Sequence, residues 1–184
     1  MPIGGDPESA ASVWTVEPDR ILPMTVSRDL VVHIKDFSSA QAAQGVQMMV
    51  LTEDGTMNKA AGNIWSSRPA ELLPDILLRD MVSAGGWAAV LRKSTMLRED
   101  LIVEGYVREF GGRVVEGRWE AVLDVDVTLL EGGSYDLLFQ ENYRFHWELD
   151  EPSYADLAAA MNILVGIWSE EVLGDIWSAT LPVR

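Results

Sequence analysis

No cysteine occurs in the 184 residues, and histidine appears only twice. The first absence removes disulfides, thiolate nucleophiles and every cysteine-ligated metal or cluster from consideration. The second leaves little for imidazole chemistry: His33 and His146 lie on separate segments, with no HExxH or two-histidine-carboxylate spacing around either. Basic residues are also scarce, 14 against 29 acidic ones for a formal charge of −15. Such a chain repels a phosphate backbone rather than releasing its counterions, which argues against nucleic-acid binding and against electrostatic docking on anionic lipid. No uninterrupted apolar run approaches the roughly 20 residues that span a bilayer. GxxxxGK[ST], GxGxxG and GxSxG are all missing, so neither a nucleotide cradle nor a serine-hydrolase elbow is written here.

What is present is the pattern of an ordinary folded domain. Hydrophobic residues make up 48% and charged residues 23% of the chain, close to globular averages, and its length suits one domain with a substantial core. Residues 1–28, beginning MPIGGDPESAAS, read as a flexible leader or tether remnant, and 29–184 as a single α/β domain. Asp29 to Phe37 has the β-branched content of a strand, with Val46 to Thr52 as its expected antiparallel successor. Asp54-Gly55 is a hairpin signal that turns the chain back through Thr56 to Trp65. GGWAAVL reads as a short strand. DLIVEGYVREF reads as a longer one ending at Gly111-Gly112.

From Trp119 to Leu129 apolar residues alternate with Glu120, Asp124, Asp126 and Thr128, the period of a strand with one buried face. Leu137 to Leu149 repeats that alternation after Gly132-Gly133. Two helices bracket these strands. The first opens at Pro69, whose missing N–H suits a first turn, and carries Leu73, Ile76, Leu77, Met81 and Ala84 on one face before Gly85-Gly86. The second follows Glu151-Pro152-Ser153, with a stripe running from Tyr154 through Leu157, Met161, Val165, Trp168 and Val172 to Ile176. The expected fold is therefore α/β: a mixed, largely antiparallel sheet packed by two long amphipathic helices near 69–84 and 153–177.

Candidate chemistry is thin. Asp124 and Asp126 share one strand face, a spacing that can ligate Mg²⁺ or split two carboxyl pKa values, but no third carboxylate accompanies them. His146 and Glu148 also share a face; a wet strand face explains either pair equally well. No catalytic residue, cofactor or metal site is expected. Seven tryptophans spread over all the elements offer large apolar area, most of it for the core and a subset for protein contact. Trp65, Arg68, Trp168 and Trp177 are the candidate interaction residues.

The succession W65-SSRPAELLPDILLRDMVSAG, LIVEGYVREF, RWEAVLDVDVTLL and YADLAAAMNILVGIWSEEV resembles the ABC-type transport auxiliary lipoprotein family over roughly residues 30 to 178. The resemblance implies a fold similar to the TolB amino-terminal, anticodon-binding-like arrangement. It implies a non-catalytic lipoprotein of MCE- or Pqi-type lipid transport systems, held in the periplasm at the outer membrane by an N-terminal lipid anchor upstream of this chain. The partners it implies are an MCE-domain protein and the transporter's permease and ATPase, with a homo-oligomer as a further option. The lipid-bearing cysteine itself is absent from the sequence. Two other classes stay open: an envelope module that tethers or activates another protein, and a small enzyme using Asp124, Asp126 or His146.

Overall fold

The computed structural model describes residues 11–19, 23, 26–93 and 96–179. The elements run β1 (Ser12–Trp14), β2 (Val31–Ile34), β3 (Ser38–Ser39), a single 3-10 turn (Gln41–Ala43), β4 (Gln47–Leu51), β5 (Met57–Trp65) and α1 (Pro69–Ala84). They continue with β6 (Ala89–Leu91), β7 (Leu101–Val115), β8 (Arg118–Glu131), β9 (Leu137–Glu148) and α2 (Tyr154–Ser178). All nine strands join one mixed sheet. The expected α/β architecture is present, with the longest ladders antiparallel: β7 against β8 and β8 against β9.

β7 is the axis of the sheet. One edge pairs with β8 along nearly its full length; the other is lined in succession by β2, β3 and β4, all parallel to it. Beyond that broken line, β6 pairs with β2, while β5 pairs with β4 and β1 with β5. Val46 to Thr52 is therefore not the antiparallel neighbour of the 29–37 segment. Both lie end to end along the same edge of β7, because the short 3-10 turn between them carries the chain forward rather than back.

β7 also continues through Gly111-Gly112, where a turn was expected. A Cβ on Gly111 would lie 2.7 Å from the Met49 carbonyl oxygen of β4, so glycine there permits close strand approach. The actual hairpin turn is Glu116-Gly117, both at positive φ, joining Val115 directly to its partner Arg118.

The fold also begins earlier than residue 29. Ser12–Trp14 pairs in parallel with Asn63–Trp65, the Trp14 indole donates to Asn63 at 3.0 Å, and Val16 is buried in the core. Residues 15–18 then cross α2, where the Glu17 N–H donates to the Asn162 side chain at 2.6 Å. A short apolar pairing segment and one asparagine contact hold what composition alone made look like a tether. Residues 1–10 of the expected leader lie outside the described residues.

Both helices pack on one face of the sheet. α1 opens at Pro69 as expected, and the Gly85 N–H closes it onto the Met81 carbonyl. Pro74 sits inside it, where its missing N–H forfeits one intrahelical bond, offset by burial of its ring. α2 is capped by Ser153, whose hydroxyl accepts from the Asp156 N–H at 3.1 Å. By length and composition α2 could cross a membrane, but its residues from Leu157 to Ile176 on the sheet side are buried against the sheet and α1, as in the core helix of a folded domain. Those residues meet Leu123, Val125, Val127 and Leu129 of β8 in one continuous hydrophobic cluster.

Candidate functional site

The four candidate interaction residues part company in the structure. Trp65 is 1% exposed and stacks edge-to-face on Phe110, with ring centroids 5.1 Å apart. Trp168 is 0% exposed and meets Phe37 in the same geometry at 6.3 Å. Both are core anchors rather than interaction surface, because each lies on the helix-facing side of the apolar cluster. Arg68 is exposed at the N-cap of α1, with Glu71 at 3.7 Å one turn on. Thus Trp65 and Pro69 seat the first helix by burial, and Arg68 is left on the surface beside it. Trp177 is half-buried, packed edge-to-face on Trp87 at 5.1 Å with the Arg28 guanidinium 4.2 Å above its ring. That cluster ties the C-terminal ends of both helices to the segment leading into β2.

The opposite face of the sheet collects the candidate acids. Asp124 and Asp126 do lie side by side on β8, and cations and amides hold both. Arg108 donates to Asp126 at 2.7 Å, and Asn142 bridges the two carboxylates with 2.8 Å bonds to each. The Arg144 guanidinium stands 3.6 Å from Asp124. The Arg108 hydrogen bond, outweighing partial burial, holds the Asp126 carboxyl below its usual value of 3.8. An ion-paired lattice of this kind has its lone pairs occupied by protein donors.

The histidines also have partners. His146 lies 3.6 Å from Glu120, while Glu148 pairs with Arg118. His33 is buried between Glu99 at 3.1 Å and the Lys35 ammonium at 3.2 Å. Among the described residues no group of three histidine or acidic side chains converges as a metal site.

A further polar cluster escaped the sequence reading. Asp80 of α1 is 0% exposed, paired with Arg79 at 2.6 Å and accepting from the Ser169 hydroxyl of α2 at 2.7 Å. The signal was available: residue 80 falls on the stripe of Leu73, Ile76, Leu77 and Ala84, where an apolar side chain belongs. This contact locks α1 against α2. Beside it, Arg79, Asp75 and Ile76 line an open groove of about 520 Å³ with Thr15 to Asp19 on its other side.

Exposed apolar side chains gather at one end of the sheet. Tyr135 stands on the turn between β8 and β9, Leu137 at the start of β9, and Met96 and Leu97 on the loop between β6 and β7. The two connections touch, since the Gly132 N–H donates to the Asp100 carbonyl at 2.8 Å.

A crystal structure of a Xanthomonas campestris protein of the family DUF330 superposes with a TM-score of 0.80 at 17% identity, covering 89% of this chain and 94% of that one. An uncharacterized protein matches with a TM-score of 0.73 at 15% identity, over 91% and 99% of the two chains. A hypothetical protein from Chlamydia trachomatis follows at 0.59 and 8% identity, over 81% and 96%. At these identities the likeness is one of fold. No curated protein matches the chain. The family model for the ABC-type transport auxiliary lipoprotein component matches residues 18–172, and the chain belongs to that family.

Proposed function

We propose that this protein is a non-catalytic auxiliary component of an MCE-associated, ABC-type lipid transport system in the bacterial envelope. The observation that carries the reading is the family match across residues 18–172, which spans α1, every strand except β1 and all but the last turns of α2. The disposition of polar groups supports it: the acids that composition offered to an enzyme are engaged in ion pairs on an open sheet face. In this reading a lipid anchor upstream of Met1 holds the protein at the periplasmic side of the outer membrane. Since a single acyl chain binds a bilayer only marginally, attachment needs more chains or a second contact. Contact with an MCE-domain partner and the permease and ATPase complex supplies one, through exposed apolar residues at strand ends such as Tyr135 and Leu137.

The test is co-purification of the full-length precursor with the products of its neighbouring genes, followed by crosslinking. Recovery with an MCE-domain protein is expected. Recovery from the envelope with an unrelated enzyme would favour the tethering module instead, and a partnerless cytoplasmic monomer would contradict both.

A further inference from the structure

The outermost strand of the long meander has a free side. β9 pairs only with β8, so along twelve residues every second backbone N–H and C=O faces outward with no strand against it among the described residues. Edge strands of this length are ordinarily shortened, bulged, broken by proline or covered. β9 has no proline, and the register shift in its ladder with β8 lies near its start, between Leu129 and Leu130 on β8. Beside this edge, between β9 and the last turns of α2, runs an open groove of about 540 Å³.

The groove alternates two chemistries. Phe139 and Phe145 are half-buried along its β9 wall, with Trp147, 46% exposed, further along the same face. Between and across from them stand Glu141, Glu171 and Asp175. Asp175 accepts the Tyr143 hydroxyl at 2.7 Å, and no arginine or lysine of the described residues lies within ion-pair distance of any of the three carboxylates. Arg144 also lines the groove, but its guanidinium turns to Asp124 on the other face of the sheet. Burial, then the hydrogen bond to Asp175, and after these the negative charge of Asp175, Glu141 and Glu171, hold the Tyr143 hydroxyl far above its ordinary value. On the rest of the sheet Glu109, Asp124, Asp126 and Glu148 are matched by arginines; Glu141, Glu171 and Asp175 are not, among the described residues.

We propose that the β9 edge and its groove bind an extended basic segment of a partner protein, which adds to the sheet as a further strand. Its backbone pairs with the free edge of β9, and its side chains fall alternately towards the helix side and away from it. Lysine or arginine at the helix-side positions meets Glu141, Glu171 and Asp175, and apolar side chains among them rest on Phe139 and Phe145. A second copy of this chain fits poorly: pairing two β9 edges would bring like-charged grooves together on molecules that each carry a formal charge of −15. The proposal concerns a surface apart from the apolar end assigned to the transporter partner, and it stands or falls independently of that assignment.

The probe is a synthetic ten-residue peptide alternating lysine with valine and threonine, titrated into the full chain by fluorescence anisotropy. Amide hydrogen exchange is followed in parallel. Saturable binding with slowed exchange confined to residues 137–148 is expected, weakened about tenfold or more by the surface double variant Glu141→Lys/Glu171→Lys, whose fold is checked by circular dichroism. A glutamate counterpart of the peptide, and a lysine peptide with proline at alternate positions and so lacking backbone donors, should both fail to bind. Equal binding of the proline peptide would reduce the effect to nonspecific charge attraction and overturn the strand addition. So would binding that leaves β9 exchange unchanged, or concentration-dependent dimerisation that protects β9 without peptide. A tenfold gain in probe affinity on removing residues 180–184 would identify the chain's own end as the occupant and also refute the proposal.

Discussion

The two faces of β8 differ by one residue in sequence and by everything in chemistry. Ala121, Leu123, Val125, Val127 and Leu129 pack beneath the helices, whereas Glu120, Asp124 and Asp126 lie on the open side among Arg108, Arg144, Asn142 and His146. The helix side excludes water and carries the stability that burial of apolar area provides. On the open side partly solvated charges compensate one another, which contributes little to stability. The surfaces proposed for recognition lie on the rim: the β9 edge with no strand against it among the described residues, the turn at Tyr135 and the loop at Met96.

Substitutions on the helix side should produce the largest effects. Trp168→Ala leaves a cavity between α2 and Phe37 and should cost about 4 kcal/mol, read as a lower urea midpoint. A loss below 1 kcal/mol would mean that this face is not the stabilising one. Next comes the polar contact embedded in it. Asp80→Ala strands Arg79 and the Ser169 hydroxyl at the α1–α2 interface, with an expected loss of about 3 kcal/mol by the same measurement. Gly105→Ala follows at about 2 kcal/mol, because its Cβ would sit 2.4 Å from the Phe37 ring, which must shift to admit it.

The open face should respond least. Asp124→Asn/Asp126→Asn should lower the melting temperature by no more than about 3 °C at neutral pH and leave partner co-purification intact. The pH dependence has a definite sign. Asp126 has a folded pKa below the unfolded 3.8, so its contribution is complete above that value and is lost as pH falls through the folded one. The stability gap between wild type and the double variant should therefore narrow on acidification below about pH 4. A gap that widens there would show that the Arg108 pairing does not act as described.

Local periodicity carried most of the fold. The alternation in Trp119 to Leu129 and the stripes of both helices are dictated by burial on one face, which a sequence displays directly. Strand order is not displayed that way. Whether Val46 to Thr52 returns beside the first strand or runs on along β7 depends on a short 3-10 turn and on Gly111 admitting the Met49 carbonyl, both settled by tertiary contact. The tryptophans show the same division. Their number announced large apolar surfaces, yet Trp65 and Trp168 are core while Trp147 is exposed, a distinction that tertiary packing sets. Asp80 was legible as a break in an apolar stripe; its partner Ser169, 89 residues away, was not.

In the function proposed, recognition takes place at the rim and not on the ion-paired face. Amide hydrogen exchange on the full-length protein, alone and in its co-purified transport assembly, tests it most directly. Slowed exchange in the 132–136 turn, joined by β9 where the assembly includes the basic segment, with residues 104–108 and 118–126 unchanged, is the predicted result. Slowed exchange confined to 104–108 and 118–126, with β9 and the turn unchanged, would contradict it.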